Sequence, residues 1–479
     1  MCGIIGILSR PSTRKAPTPA EIVALLDAAV AAGSEFSVIS DALMAADQLL
    51  RGDAGIRTLA GNSTLIADIT SRLDLIDAVA DIEEARIDAL HADTATLDAQ
   101  VARLSRVRDG SWAIRRDRIR AADAVHVLAG RDADASALAG YLAVHQAFSA
   151  IDRMEVRGRD SAGISVLVTS ASFASPTPEM VAAISLRSTD PLFTNNSVRH
   201  TANTIVFVYK AAAEIGELGD NTRHMRDAVA ADDLLRQVLQ TTDARVAVLG
   251  HTRWASVGII SEPNAHPVNG EEVDAPNRAV SVAVLNGDVD NHADLRIRHN
   301  LHFAEPITTD AKVIPAIVDR GRANGLASFD AFINAVTQFE GSVAIGYSAA
   351  DEPDDMYLAL HGSGQGLYIG LAEDRFIVAS EPYGTVEETM HYVRLDGETP
   401  CDPADPNSRG QVVRLSSAGA GTIAGITRCA YNGTAIPMTD ADVAVAEVTT
   451  RDIDRGDFTH FLLKEITEAP RSFRKTIRG

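Results

Sequence analysis

Cysteine, aromatic residues and positive charge are all in short supply in this 479-residue chain. The three cysteines, Cys2, Cys401 and Cys429, show neither paired nor metal-like spacing. That argues against a disulfide scaffold and suits a reducing compartment. No run approaches eighteen apolar residues, and no basic–apolar–small signal opens the chain. The expectation is a cytoplasmic protein that is neither inserted in a membrane nor secreted. Lysine and arginine number 44 against 65 aspartates and glutamates, and the net charge of -21 argues against a nucleic-acid partner. His251, His266 and His292 lack metal-ligand spacing and read as structural, so neither metal nor cofactor is expected. The glycines of Gly362-Ser363-Gly364-Gln365-Gly366 lie between β-type runs without a following helix, so they read as a turn, not a phosphate cradle.

What is present starts at the second position. Cys2, in Met1-Cys2-Gly3-Ile4-Ile5-Gly6, would become the first residue if Met1 were removed. It would then carry both a thiol and a free α-amine, whose ordinary pKa near 8 suits it to take the thiol proton. Nucleophile and base in one residue is the logic of N-terminal Thr and Ser hydrolases. The plainer alternative is a buried cysteine that happens to follow the start residue.

Hydrophobic residues make up 46% of the chain, enough for a sizeable core in what could be two or three average domains. Gly3–Leu8 reads as a buried strand. From Thr18 to about Gly130 the sequence becomes Ala-, Asp- and Arg-rich with helical periodicity. There Ile66, Ile69, Leu73, Ile76, Ala80, Ile87, Leu90, Leu97, Val101 and Leu104 follow an alternating 3-4 spacing broken only at Glu83 and Thr94. With no Gly or Pro between Asn62 and Arg108, and Asn62 or Ser63 as N-cap, this predicts one heptad-seamed helix of roughly 60 Å. Segments 22–30 and 38–50 could form an antiparallel partner. The insertion, 13–130, is either an oligomerisation or docking arm or a hairpin packed on itself. A helix is expected at 136–154, a strand at 163–169, and a loop or second small insertion at 170–204. Helical sequence at 225–239 precedes β-type runs at 245–249, 280–285, 342–347, 356–360, 366–369 and 376–379, with helices at 312–322 and 329–339. Residues 461–478 read as an amphipathic helix.

Five strings carry chemistry: Cys2 with its neighbours; Arg157-Gly158-Arg159-Asp160-Ser161-Ala162-Gly163-Ile164; Gly250-His251-Thr252-Arg253-Trp254-Ala255-Ser256 followed by Asn264-Ala265-His266-Pro267; Leu285-Asn286-Gly287; and Thr308-Thr309-Asp310. Together they resemble the class II glutamine amidotransferases, specifically the glutaminase half of the glucosamine-6-phosphate synthase family. The resemblance covers residues 1–10 and, with gaps, about 136–479. It implies an α+β fold, a four-layer αββα N-terminal-nucleophile sandwich, over residues 2–479. By the same resemblance Cys2 is the nucleophile, and Asn286 (side-chain amide) and Gly287 (N–H) form the oxyanion hole. Arg253 would clamp the α-carboxylate of L-glutamine, Asp310 would take its α-ammonium, Trp254 and Ser256 would line the pocket, and Arg157 would stand behind the cysteine. A guanidinium suits the first role because it donates two parallel hydrogen bonds. Taken singly, Arg253 could be a surface salt-bridge residue, Asp310 a helix N-cap, and Asn286-Gly287 a hairpin turn.

The chain departs from the family pattern at Val257 and Leu285, where histidine is usual, and at Arg159, where tyrosine is usual. Residues 457–479 resemble the linker to a sugar-isomerase half, so the expected partners are sugar-phosphate isomerase domains, on the same full-length chain or a separate subunit, and further copies in a homo-oligomer. The implied function is hydrolysis of glutamine with ammonia passed to a sugar phosphate, fructose 6-phosphate giving glucosamine 6-phosphate. A glutaminase serving another acceptor and a non-enzymatic glutamine-sensing or scaffold module are the alternatives.

Overall fold

The computed structural model describes residues 2–90, 93–212, 217–273, 280–456 and 458–478. Met1, Asp457 and Gly479, on which the expectations about the two chain ends rest, lie outside the described residues. The chain divides into two units, one of residues 1–11 and 133–447, the other of 12–132 and 448–479.

The second unit is helical. Its helices are α1 (Pro19–Ala31), α2 (Phe36–Leu50), α3 (Gly52–Leu59), α4 (Ser63–Ala89), α5 (Thr94–Trp112) and α6 (Arg120–Ala129), with a π-helical stretch, Ala113–Ile119, between the last two. Thr18 and Glu21 form a capping box at α1, and the Asn62 side chain caps α4 by accepting from Leu65 N–H at 3.2 Å. The single long helix expected over 62–108 is two helices. α4 ends as Leu90 turns extended, and Asp93 caps α5 by accepting from Thr96 N–H at 3.0 Å. The two helices run antiparallel: Arg115 bonds Asp74 at 2.6 Å, whereas Arg108, about two turns earlier, reaches Asp81 and Glu84. Ile69, Leu73, Ile76, Ala80 and Ile87 of the expected seam are buried in α4 and Leu104 in α5, whereas Val101 is exposed, so the seam continues into α5 only in part. A short helix at Thr450–Ile453 returns to this unit, where Thr450 Oγ1 donates to Asp117 at 2.7 Å and Arg451 pairs with Asp109 at 2.9 Å. A terminal helix spans Phe461–Arg478.

The first unit mixes helix and sheet. In chain order its elements are β1 (Gly3–Ser9), α7 (Ala135–Met154), β2 (Ser161–Thr169), α8 (Pro178–Arg187), β3 (Val198–Thr201), β4 (Thr204–Ala211), α9 (Asp220–Ala230), α10 (Asp233–Leu239), β5 (Arg245–Arg253), β6 (Val268–Asn269), β7 (Ser281–Gly287), α11 (His292–Arg298), α12 (Val313–Ala323), α13 (Ser328–Val336), β8 (Val343–Ala349), β9 (Asp355–His361), β10 (Tyr368–Ala372), β11 (Arg375–Ala379), β12 (His391–Arg394), β13 (Gln411–Ser416), β14 (Ile426–Ala430) and β15 (Val443–Val445). The segment 170–204, expected as a loop or a second small insertion, contains α8, with Thr177 as N-cap and Pro178 in its first turn, and β3, so it is not a plain loop.

Among the described residues the strands form a nine-stranded sheet in the order β15-β12-β10-β11-β1-β5-β2-β4-β3 and a six-stranded sheet in the order β14-β13-β9-β8-β7-β6. Alternation along β7 shows how the second sheet is used. Val282 and Val284 join a core with Ile4, Leu8 and Leu249 of the other sheet, while Ala283 and Leu285 face a second core with Ile314, Ile317 and Phe332 of α12 and α13. α7 packs against β1 and β5, its Met154 side chain lying where a Cβ on Gly3 would come within 2.9 Å.

Gly110 in α5 has a packing reason. A Cβ there would lie 2.8 Å from Leu43 Cβ on α2, so the two helices meet through its missing side chain. Gly110→Leu should destabilise the helical unit by about 1–3 kcal/mol through overpacking, in spite of the better helix propensity of leucine. A urea titration with an unchanged midpoint would contradict this crossing.

Candidate active site

β1 is the middle strand of its sheet, and its register with β5 pairs Gly3 with Thr252. Cys2, one residue earlier, therefore meets the end of β5, where the chain turns out through Arg253 and Trp254. On the other side of β5, Ser161 pairs with Arg253, which brings the Arg157–Ser161 string to the same end. β7 of the second sheet ends at Asn286-Gly287, and the Asn286 side-chain amide donates to the Cys2 carbonyl at 3.1 Å.

Cys2 is half-buried. Its Sγ accepts from Trp254 N–H at 3.2 Å and lies 3.5 Å from the Trp254 carbonyl. Desolvation pushes the thiol pKa up; the Trp254 N–H and Arg253 oppose this, and Asp288 adds to it. Such a thiol needs a base at hand to become a nucleophile. The backbone that presents Trp254 N–H is held from behind. Asp160 accepts from Ala255 N–H at 2.8 Å, and Gly158 packs so close that a Cβ would sit 2.7 Å from the Arg253 carbonyl carbon.

Arg253 is 3% exposed and pairs with no carboxylate among the described residues. Its guanidinium donates to the carbonyls of Val257 and, at 3.3 Å, Ile259, so the loop after β5 curls around it. Burial lowers its pKa, while Cys2 and Asp310 act the other way. A buried cation without an anion is costly unless one is supplied from outside. The surface salt-bridge alternative for Arg253 does not hold. Asp310 is buried too, and its Oδ2 accepts from Val289 N–H at 2.8 Å. Burial raises its pKa, the Val289 N–H lowers it, and Asp288 raises it. The cap position of this turn belongs to Thr309, so the N-cap alternative for Asp310 is not what the fold uses. Nor is Asn286-Gly287 a hairpin turn, because β8 begins only at Val343. Gly287 has φ of 88°, and a Cβ there would lie 1.9 Å from the Ser342 carbonyl oxygen, so only glycine fits.

Trp254 is 59% exposed at the mouth of the site, and Ser256 Oγ donates to Asp288 at 2.5 Å. Arg157, expected behind the cysteine, forms an ion pair with Glu381, which follows Ser380, whose hydroxyl accepts from Ile4 N–H at 3.0 Å. Sequence reasoning assigned no role to Asp288, Asn264 or Thr309. Asn264, fully buried, accepts from both Thr308 and Thr309 N–H groups at 2.7 and 2.9 Å and so fixes the turn that carries Asp310. Its place in the Asn264–Pro267 string was the available signal; for Asp288 there was none. No group of three or more His, Cys, Asp or Glu among the described residues could hold a metal ion, and no helix among them is long and apolar enough to cross a membrane.

Burial holds His251 neutral, with its pKa lowered to about 3, and it lowers that of His266 as well. In the unfolded chain each would bind a proton as pH falls through about 6.5. The unfolded state then gains protons that the folded state lacks, so stability falls on acidification, by about 1.4 kcal/mol per pH unit for each ring. Between pH 6 and 4, His251→Gln should show a stability–pH slope shallower than wild type by that amount. Equal slopes would mean that His251 is already protonated in the folded protein.

No family model matches the chain. Among curated proteins it is similar to the glutamine–fructose-6-phosphate aminotransferases (isomerizing) of Oceanobacillus iheyensis, 26% identical over 272 residues, and of Neisseria meningitidis serogroup A, 29% identical over 231 residues. These alignments take in 56% and 48% of this chain but only 40% and 33% of the relatives' lengths. Among solved structures, the glutamine phosphoribosylpyrophosphate amidotransferase from B. subtilis, complexed with ADP and GMP, matches 60% of this chain and 46% of its own, at 15% identity and a TM-score of 0.37. That structural likeness is too slight to bear on the site. By sequence this chain resembles class II glutamine amidotransferases of the glutamine–fructose-6-phosphate aminotransferase kind.

Proposed function

We propose that this chain is a glutaminase half of a class II glutamine amidotransferase, built as a four-layer αββα N-terminal-nucleophile sandwich with the helical segment 13–130 inserted. The carrying observation is Arg253, a buried guanidinium without an acid partner, within electrostatic reach of Cys2 and Asp310. A free α-amino acid supplies the missing carboxylate, and Asp310 accepts its ammonium. Trp254 and Ser256 line the approach, and Arg157 supports the wall through Glu381.

With Met1 removed, the Cys2 amine takes the thiol proton. The thiolate attacks the side-chain carboxamide of L-glutamine, and the carbonyl electrons move to an oxyanion held by the Asn286 amide and the Gly287 N–H. Collapse breaks the C–N bond, and the ammonium of Cys2 returns the proton to the leaving ammonia. Water, deprotonated by the same amine, then hydrolyses the thioester to glutamate. The ammonia passes to a sugar phosphate, fructose 6-phosphate giving glucosamine 6-phosphate, on isomerase domains carried by a longer chain or a separate subunit, in a cytoplasmic homo-oligomer.

Cys2→Ala should abolish glutamate release while leaving glutamine binding largely intact, and intact mass should show active protein lacking Met1. Fully active protein that retains Met1 would defeat the amine-base mechanism. Arg253→Ala should lower kcat/KM by roughly a hundredfold or more, whereas Asn286→Ala should act on kcat by a similar factor. Near-wild-type kinetics in both variants would dismiss the pocket.

Replacing residues 15–130 with a short linker should leave glutamine hydrolysis in place and change the molar mass measured by light scattering. Loss of folding would show that the insertion belongs to the core.

A further inference from the structure

Two buried histidines stand directly behind the proposed site, and the reaction as written uses neither. His251 lies on β5 and His266 just before β6; both are almost wholly inaccessible, with ring centroids 4.5 Å apart. Their hydrogen placement follows from the groups around them. The Cys2 carbonyl can only accept, so the Asn286 atom 3.1 Å from it is the NH2 group. The Asn286 oxygen then faces His251 Nε2 at 3.0 Å, which must carry a hydrogen. His266 Nδ1 accepts from Leu285 N–H at 3.4 Å, which puts its own hydrogen on Nε2, 3.1 Å from Thr309 Oγ1. The Thr309 hydroxyl, having accepted, is left to donate toward Asp310 at 3.5 Å.

We propose that His251 and His266 are a coupled pair of positioning residues, His251 fixing the Asn286 amide as an oxyanion donor and His266 holding Asp310 through Thr309 for the α-ammonium of glutamine. The proposal rests on the glutaminase reading and adds to it. An asparagine amide is nearly symmetric in shape, and a flip would turn its oxygen toward the developing oxyanion. The flipped amide would set its oxygen against the Cys2 carbonyl and its NH2 against the His251 Nε2–H, so the carbonyl and the ring together make that state unfavourable. Two neutral rings, tilted by 41°, can pack against each other behind the pocket with Arg253 and Lys210 nearby, whereas imidazolium ions there would repel each other and both cations. One histidine thus serves the half of the site where charge develops, and its neighbour serves the half that recognises the substrate's charged end.

The test is steady-state glutamine hydrolysis by the full chain, with Cys2→Ala as the control. His251→Leu should lower kcat by roughly ten- to a hundredfold with KM held within about twofold, because an oxyanion donor acts in the transition state. His251→Gln, which keeps an amide N–H at the Nε2 position, should recover most of that loss. His266→Leu should instead raise KM for glutamine several-fold, and Thr309→Val should reproduce the change. Glutaramate, which has the carboxamide and a carboxylate but no ammonium, should be indifferent to both of these substitutions. A wild-type kcat in His251→Leu would overturn the proposal, as would a Gln variant as impaired as the Leu variant or an equal loss for glutamine and glutaramate in Thr309→Val. Activity that survives Cys2→Ala would instead overturn the glutaminase reading itself.

Discussion

The hydrogen bond from Asn286 to the Cys2 carbonyl is the contact on which the rest of the site depends. Cys2 directly precedes β1, which among the described residues is the fifth of nine strands and is bonded along both edges, so it stands at the centre of a sheet and not at its rim. Register with β5 sets where Cys2 stands along the strand. Asn286 then ties it to the end of the other sheet, so the proposed oxyanion donor and the proposed nucleophile are held by one interaction.

Charge in the pocket is arranged with the same economy. One buried guanidinium lies within electrostatic reach of three carboxylates, Asp310, Asp160 and Asp288, and forms an ion pair with none of them. Its hydrogen bonds go to carbonyls of the loop after β5, which can curl back because Gly258 sits at φ of 88° against Thr308 and Thr309, where a Cβ would come within 3.0 Å. The loop that receives Arg253 therefore also abuts the turn that carries Asp310. Removing either glycine-permitted close approach, at Gly258 or Gly287, would move a binding group and not merely a loop.

The candidate site was largely legible because its groups fall in short strings at strand ends, where residue type and order carry the chemistry. The strands of both sheets were legible in part: the apolar β-branched runs of β1, β5 and β7 announce themselves, but β12 to β15 are short and mixed, and only pairing makes them strands. The long helix was misjudged for a definite reason. A 3-4 repeat can pass in phase through a helix break, and no Gly or Pro marks the turn near Leu90. The cap at Asp93 was the readable clue. At 170–204 the polar composition left a loop and a second small insertion both open, and the helix start at Thr177-Pro178 was the signal against a plain loop. The orienting role of the two histidines was invisible, because it consists of distances between residues 19 to 43 positions apart.

The helical unit adds a constraint that sequence order conceals. It is discontinuous: the chain enters it after Pro11, leaves at Asp132, and returns after Glu447. The returning segment is bound by specific partners, Thr450 to Asp117, Arg451 to Asp109 and Asp454 to Arg120. Asp117 and its neighbour Arg118 are buried, and Arg118 pairs with Asp47 at 2.8 Å within the same bundle. Residues 448–454 therefore lose their anchors if the bundle is removed, even though they follow it by more than three hundred positions. An excision that spares the sheets must release this segment, which belongs with the bundle and not with the sheet unit ending at Glu447.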